Sequence, residues 1–336
     1  MRALWRCALL SLLGQLAYLN LTCAASVEVP YVALAISAVS PTGSSETISV
    51  LQLANASGVT AALPAQTFAP GVGPCSVGWD GNTDGGAYLV PSGLSGTTLL
   101  RLSAATGAVD ATITLSTPVL IATAAVGADG LLYAIGSPPA GSAYLELVSV
   151  NTTSGLVSPV SPVLTDNVQE CAAAVDAASG ILVFAYTGPL QLPIVGGMPT
   201  SASGSGGFSI VMNASVLAVA AMPAAVAGGS PRVLFIAEDS QGSIGGLQLL
   251  EPDAGTSRLL IAVEDIIVNV ALGSLVYDAP SNTAAALAQV VHADGTPDVL
   301  VVFDLGARTY AVTVLKDSAV AAQGVWALAV AGRARR

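Results

Sequence analysis

The chain has 336 residues, of which 53% are hydrophobic and 9% are charged, and its formal net charge is −11. This composition disfavours an intrinsically disordered chain, which combines low hydrophobicity with high charge density. It also disfavours nucleic-acid binding, because phosphate groups repel an acidic surface.

The first 25 residues have the pattern of a secretory signal peptide. Arg2 and Arg6 supply a positive start, Cys7 to Leu21 is apolar, and Ala24 is one of several small residues that suit cleavage. We therefore expect residues 26–336 to form one mature domain that is secreted or held at the cell surface.

Two further apolar segments, residues 216–229 and 266–277, lie inside the mature chain. A helix that crosses a membrane needs about 18 or more uninterrupted apolar residues. Pro223 interrupts the first segment and Gly273 the second. We therefore expect no membrane span.

A turn that ends in glycine recurs about every fifty residues. The turns end at Gly58, Gly107, Gly155, Gly255 and Gly306. The spacings are 49, 48, 100 and 51 residues, and the double gap holds a degenerate copy at Met212–Ser215. Hairpin turns of this length commonly end at positive φ, which glycine adopts without a Cβ penalty. The repeat predicts an all-β chain of regularly spaced hairpins.

A second hairpin precedes each of these turns. We place these hairpins at Cys75–Val90, Ile121–Ile135, Cys171–Tyr186, Ala224–Ile236 and Ile266–Tyr277. Four strands in about fifty residues is the size of a β-propeller blade. Strand-like segments at Gly324–Val330 and between Tyr31 and Leu63 complete a blade made from both termini. The sequence predicts a six-bladed β-propeller of four-stranded blades, with seven blades as the alternative.

Segments such as Leu131–Ile135, Leu147–Asn151 and Ser154–Val157 resemble the YVTN and quinoprotein-like β-propeller superfamily. The resemblance extends over nearly all of the mature chain. It implies the propeller fold and no particular activity, because that superfamily includes binding scaffolds and unrelated enzymes.

Three Asn-x-Ser/Thr sequons, at Asn55, Asn151 and Asn213, fall in predicted turns between third and fourth strands. Such turns share one face of a propeller, so we expect any glycans to lie on that face. The opposite face would carry two long loops, Pro189–Gly206 and Ala279–Pro297. We expect a protein or glycan ligand to bind this long-loop face, since loops longer than about 12–15 residues are more often functional.

Asp80, Asn82 and Asp84 match the opening of a calcium-binding loop, in which alternating oxygens converge on a hard cation. The twelfth position of that loop is Pro91, where the motif has glutamate. The sequence therefore predicts a polar hairpin turn and no cofactor, and calcium binding is the alternative interpretation.

Two acids, Glu170 and Asp265, precede predicted inner strands and are expected near the mouth of the central channel. The six-bladed calcium-dependent lactonases resemble this arrangement, which implies a metal that polarises the substrate. The corresponding positions of other blades are Pro74, Leu120 and Gly324, so the ligand set is incomplete. Solvated loop acids are the alternative interpretation.

Cys75 and Cys171 occupy corresponding positions of two predicted inner strands, with one blade between them. A disulfide needs Cα atoms within about 7 Å, so we expect two separate thiols. His292 is the single histidine, and no nucleophile motif in a strand-turn-helix context accompanies it. We predict no catalytic residue. The leading hypothesis is a non-catalytic binding propeller, and the alternative is a calcium-dependent hydrolase that uses the channel.

Overall fold

The computed structural model describes residues 30–38, 46–54, 58–68, 77–80, 85–89, 97–127, 129–137, 145–163, 168–176, 178–187, 192–201, 207–239, 241–263, 267–271, 274–290, 298–315 and 324–330. Some strand residues are described by their backbone alone. Within these ranges no helix combines the length and the hydrophobicity of a membrane-crossing segment. The described residues form 26 β-strands in six sheets.

Each sheet is an antiparallel blade, numbered here in chain order. Blade 1 contains β1 (Pro30–Ala38), β2 (Glu46–Ala54), β3 (Gly58–Ala62), β4 (Gln66–Phe68) and β26 (Gly324–Val330). Blade 2 contains β5 (Val77–Asp80), β6 (Gly86–Leu89), β7 (Thr98–Ser103) and β8 (Val109–Thr114). Blade 3 contains β9 (Leu120–Val126), β10 (Leu131–Ser137), β11 (Leu145–Asn151) and β12 (Val157–Val163).

The remaining blades follow the same order from the inner to the outer strand. Blade 4 contains β13 (Val168–Asp176), β14 (Ile181–Thr187), β15 (Pro193–Pro199) and β16 (Phe208–Val211). Blade 5 contains β17 (Ser215–Met222), β18 (Arg232–Glu238), β19 (Ile244–Glu251) and β20 (Thr256–Ala262). Blade 6 contains β21 (Ile267–Val270), β22 (Val276–Asp278), β23 (Thr283–Val290), β24 (Asp298–Asp304) and β25 (Thr309–Val314).

The ring closes through pairing of the first and last strands. β26 runs antiparallel to β1, from the pair Tyr31 and Val330 to the pair Ile36 and Gly324. β26 is thereby the inner strand of blade 1, whose other strands come from the start of the chain. The predicted six-bladed propeller with a composite N/C-terminal blade is confirmed.

Apolar side chains cover both surfaces of the blades. In β14, Ile181 and Val183 pack against blade 5, while Leu182 and Phe184 pack against blade 3. A strand that is buried on both surfaces needs apolar residues at every position. This double burial explains why strand-length hydrophobic runs fill a chain that has no membrane helix among its described residues.

The prediction of two long loops is wrong, because each of these segments contains a strand. Residues 189–206 include β15, and residues 279–297 include β23, the second strand of blade 6. The strand β15 was not predicted because it contains Gly196 and Gly197, and glycine is uncommon inside strands. In the structure, the rings of Tyr186 and Phe208 cover the backbone of these glycines. The strand β23 was not predicted because it is rich in alanine, which has a low β propensity.

Two of the predicted hairpins also differ from the structure. β21 and β22 both pair with β23, so they form one interrupted inner strand rather than a hairpin at Ile266–Tyr277. The side chain of Ser274 fills part of the interruption: its Oγ accepts a hydrogen bond from the Leu287 N–H at 3.1 Å and donates to the Leu287 carbonyl at 3.3 Å. In blade 5 the first hairpin is β17–β18, which begins earlier than the predicted Ala224.

Four of the predicted turn glycines have positive φ: Gly58 (74°), Gly107 (72°), Gly155 (72°) and Gly255 (62°). In the last turn Arg308, with φ 56°, takes this conformation instead of the predicted Gly306. The degenerate copy at Met212–Ser215 is not a hairpin turn, since it joins β16 of blade 4 to β17 of blade 5.

Candidate functional site

The antiparallel order of the strands gives the ring two different faces. The turns between first and second strands and between third and fourth strands lie on one face, which we call the turn face. The turns between second and third strands and the connections between blades lie on the other, which we call the connection face. Surface residues of the described strand ends therefore divide into two sets.

In five blades, a hydrogen bond joins the two turns that the blade contributes to the turn face. We call this contact the pairing of turns. In blades 2, 3, 4 and 6 the turn between strands three and four donates to a carbonyl at the end of the turn between strands one and two. The pairs are Ala104 N to Gly85 O (2.9 Å), Thr152 Oγ1 to Gly130 O (3.0 Å), Thr200 N to Gly180 O (2.8 Å) and Leu305 N to Asn282 O (3.2 Å). In blade 5 the Ser230 N–H donates to Asp253 Oδ2 at 3.0 Å.

The acceptor residues share one backbone conformation. Gly85, Gly130, Gly180 and Asn282 all precede a second strand, and their φ values are 28°, 78°, 63° and 51°. Positive φ is the region that glycine and asparagine enter most readily. A glycine or asparagine directly before the second strand is the sequence signal for this pairing, whereas the contact between the two turns is visible only in the structure.

Two buried carboxylates on the turn face accept hydrogen bonds from N–H groups of their own turns. Asp176 is 6% exposed, and its Oδ2 accepts the Ser179 N–H at 2.9 Å. Asp278 is also 6% exposed, and its Oδ2 accepts the Ser281 N–H at 3.3 Å. These hydrogen bonds satisfy turn donors that would otherwise need water. The described residues of these turns are consequently held by both backbone and side-chain contacts.

Tyr133 links blade 3 to blade 4 at this face. Its hydroxyl donates to Asp129 Oδ2 at 2.6 Å and also meets the side chain of Thr200. Burial, followed by the bond to Asp129, raises the pKa of Tyr133 to about 12. A protonated hydroxyl at this position therefore persists throughout the neutral range, and it holds neighbouring turns together.

Two aliphatic side chains stand out from the turn face. Leu156, in the β11–β12 turn, is 55% exposed, and Val226, in the β17–β18 turn, is 66% exposed. Polar groups accompany Val226: Arg232 Nε donates to the Pro223 carbonyl at 3.1 Å within the same turn. The face thus combines a fixed backbone with apolar side chains that are open to solvent.

The central channel is bordered by inner strands rich in small residues, including Ala124, Ala218 and Ala220. Among the described side chains, no three of His, Cys, Asp and Glu lie close enough to share a metal ion. Glu170 lies in β13, within an irregular stretch between the paired residues Val168 and Ala173, and its side chain is not described. Asp265 lies outside the described residues. No observation on the described part of the channel favours the hydrolase alternative.

Other predicted site residues fall partly outside the described ranges. Asp80 is the last residue of β5 and is described by its backbone, whereas Asn82, Asp84 and Asn55 lie outside. The calcium loop therefore stays a prediction. The separate thiols also stay a prediction, because Cys75 and the side chain of Cys171 are not described. His292, for which no catalytic role is predicted, lies outside the described residues.

The three sequons do not share one face. Asn151 ends β11 and lies on the turn face, where its Oδ1 accepts the N–H groups of Thr153 and Ser154, each at 2.9 Å. Asn213 lies in the connection between β16 and β17, and hence on the connection face. The predicted common face is wrong for Asn213, because this residue follows the outer strand β16 of blade 4 and precedes the inner strand β17 of blade 5.

Comparisons with known proteins assign no family to this chain. No protein-family model matches the sequence, and no curated protein matches it. A putative TolB from Agrobacterium tumefaciens is similar in structure, with 12% identity over 91% of this chain and 99% of that chain and a TM-score of 0.47. An oligogalacturonate lyase in complex with manganese is 12% identical over 80% of this chain and 73% of that chain, with a TM-score of 0.46.

A puromycin-hydrolyzing peptidase from Mycobacterium tuberculosis is also similar, with 11% identity over 84% of this chain and a TM-score of 0.43. The match spans 53% of the peptidase. At these identities and TM-scores, the similarities assign no activity to this chain.

Proposed function

We propose that this protein is a secreted or cell-surface binding propeller that presents its turn face to a protein partner and does not itself catalyse a reaction. The pairing of turns in five blades carries the proposal. A surface that is already fixed in shape loses less conformational entropy on binding than mobile loops do.

The exposed side chains of the turn face favour a protein as the partner. Leu156 and Val226 are aliphatic and belong to blades 3 and 5, on either side of blade 4. The core of a protein interface is apolar and poor in charged residues, which suits Leu156 and Val226, and charged groups such as Arg308 and Asp304 suit the polar rim. The turn face replaces the long-loop face of the initial hypothesis, since both of those loops contain strands.

The proposed location rests on the sequence of residues 1–25. This segment begins with two arginines, continues with an apolar stretch and ends with small residues, which is typical of a secretory signal peptide. Secretion of the full chain into the medium, with loss of the first residues seen by intact mass, tests this part separately.

The binding role can be tested with three versions of the protein exposed to the medium of the source cells. Wild type and Leu259→Asp, a control that places the same charge on outer strand β20, should recover the same partner proteins. The double variant Leu156→Asp/Val226→Asp should lose them, while its urea unfolding midpoint stays close to that of the control. Equal recovery by all three versions would contradict the turn-face interface.

A second measurement addresses catalysis. Wild type is screened with lactones and phosphoesters in the presence of calcium and of a chelator. Calcium-dependent turnover that persists in the double variant would overturn the non-catalytic assignment and revive the hydrolase alternative.

A further inference from the structure

Asn213 lies at the tip of a tight connection on the connection face. The residue before it, Met212, is 7% exposed, and Ala214 after it packs against the same core. The Met212 N–H donates to the Pro193 carbonyl at 2.8 Å, and Ser215 begins β17. The chain is thus fixed on both sides of Asn213, whose side chain is exposed.

Two exposed aliphatic residues lie near this asparagine in the register of the sheet. Val211 is 56% exposed and Leu192 is 41% exposed. The β15–β16 ladder pairs Ile194 with Val211, and the same register, continued by two residues, brings Leu192 opposite Asn213. Exposed aliphatic side chains on both strands therefore flank one sequon, Asn213-Ala214-Ser215.

We propose that Asn213 carries an N-linked glycan that covers the patch formed by Leu192 and Val211. In the transfer, Asn213 Nδ2 bonds to the anomeric carbon of an oligosaccharide that is carried on a lipid diphosphate. The lipid diphosphate leaves, and the amide loses one proton. The sugar then shields apolar surface that would otherwise favour association between molecules.

Asn151 provides the natural contrast. Its side chain is half-buried, and its Oδ1 holds the N–H groups of Thr153 and Ser154. That side chain is part of the turn, whereas the side chain of Asn213 projects from the surface. The inference rests on the proposed secretion, because the glycan is transferred in the secretory pathway. It does not depend on the proposed partner, which binds the opposite face.

The modification is tested by expressing the full chain in animal cells, both with its own first 25 residues and behind an unrelated signal peptide. Peptide mass spectrometry after enzymatic glycan release should show conversion of Asn213 to aspartate. The glycan should be lost in Asn213→Gln and kept in Ser215→Thr, which preserves the sequon, and in Asn151→Gln. Asn213 that remains unmodified behind the unrelated signal peptide would overturn the proposal.

The covering role has its own readout. The Asn213→Gln protein, which lacks the glycan at this position, should bind more of an apolar fluorescent dye, and aggregate faster, than the protein that carries it. Adding Leu192→Ser and Val211→Thr to that variant should return both signals to the glycosylated level. A glycan at Asn213 whose removal changes neither signal would overturn the covering role.

Discussion

Gly155, in the last turn of blade 3, packs so tightly against the carbonyl oxygen of Thr114, on the outer strand of blade 2, that no Cβ atom fits between them. The Ser116 N–H also donates to the Gly155 carbonyl at 2.8 Å. The same relationship recurs around the ring, since Gly58 of blade 1 faces the Val314 carbonyl of blade 6. At Gly155 and Gly58 the repeated glycine thus joins neighbouring blades as well as completing a turn.

Gly155→Ala should be more destabilising than Gly255→Ala. Both residues have positive φ, which costs an L-residue about 1–2 kcal/mol, but a Cβ atom on Gly255 meets nothing within 4 Å. We expect Gly155→Ala to lower the free energy of unfolding by about 3 kcal/mol or more, because the Thr114 carbonyl must move as well. Urea unfolding of both variants measures the difference, and equal losses would contradict the packing role.

Ser274→Ala should destabilise blade 6 because it removes the partner of a buried N–H. Leu287 is 1% exposed, and its N–H donates to Ser274 Oγ where the inner strand is interrupted. A buried donor without a partner costs about 1–3 kcal/mol. The exposed Ser257 of β20 supplies the control, since its replacement by alanine should change the free energy of unfolding by less than about 0.5 kcal/mol. Similar values for the two variants would mean that water replaces the serine.

Tyr133→Phe should alter the alkaline end of the stability profile. The folded pKa of Tyr133, about 12, lies above the usual 10.0, so the folded protein keeps its proton where the unfolded chain loses it. The resulting stabilisation is fully present below pH 10 and is lost as the pH rises to about 12. Urea unfolding between these pH values should show a shallower decline for Tyr133→Phe, and parallel profiles would argue against the raised pKa.

Gly197→Ala should be destabilising through Phe208. A Cβ atom on Gly197 would overlap the ring of Phe208, which covers the bare backbone from the next strand. Overpacking of this kind costs about 1–3 kcal/mol. In a Phe208→Val background the added methyl group should cost less, because the ring is gone. A double-mutant cycle measures the coupling, and additive effects would contradict direct contact.

The sequence predicted the fold through a feature that four of the six blades repeat and through the segments that close the ring. Gly58, Gly107, Gly155 and Gly255 occupy the predicted turns with positive φ, and the segments at Tyr31 and Gly324 pair to close the ring. These features are local, since each depends on a few neighbouring residues and on the spacing between copies.

The errors arose where tertiary contacts replace a local signal. Gly196 and Gly197 are strand residues because aromatic rings from β14 and β16 cover them. Ala284, Ala286 and the neighbouring residues of β23 form a strand because blades 5 and 1 pack on both sides of it. Neither effect is visible in a window of a few residues, and the error in blade 4 moved Asn213 to the wrong face.

The candidate site was less predictable than the fold. The paired turns depend on contacts between segments about twenty residues apart, such as Thr152 and Gly130. The calcium interpretation of Asp80, Asn82 and Asp84 stays open. Calorimetry with calcium would support it if the wild type releases heat that Asp84→Ala does not.

The pairing of β1 with β26 also sets the order in which the molecule can assemble. During synthesis β1 emerges first but finds its inner partner last, so its edge stays unpaired while the other five blades form. In that interval, β26 from another chain could occupy the same edge and link two rings. Assembly at high protein concentration should therefore favour dimers in which two chains exchange β26. Faster pairing of β26 with β1 of its own chain should increase the fraction of monomers.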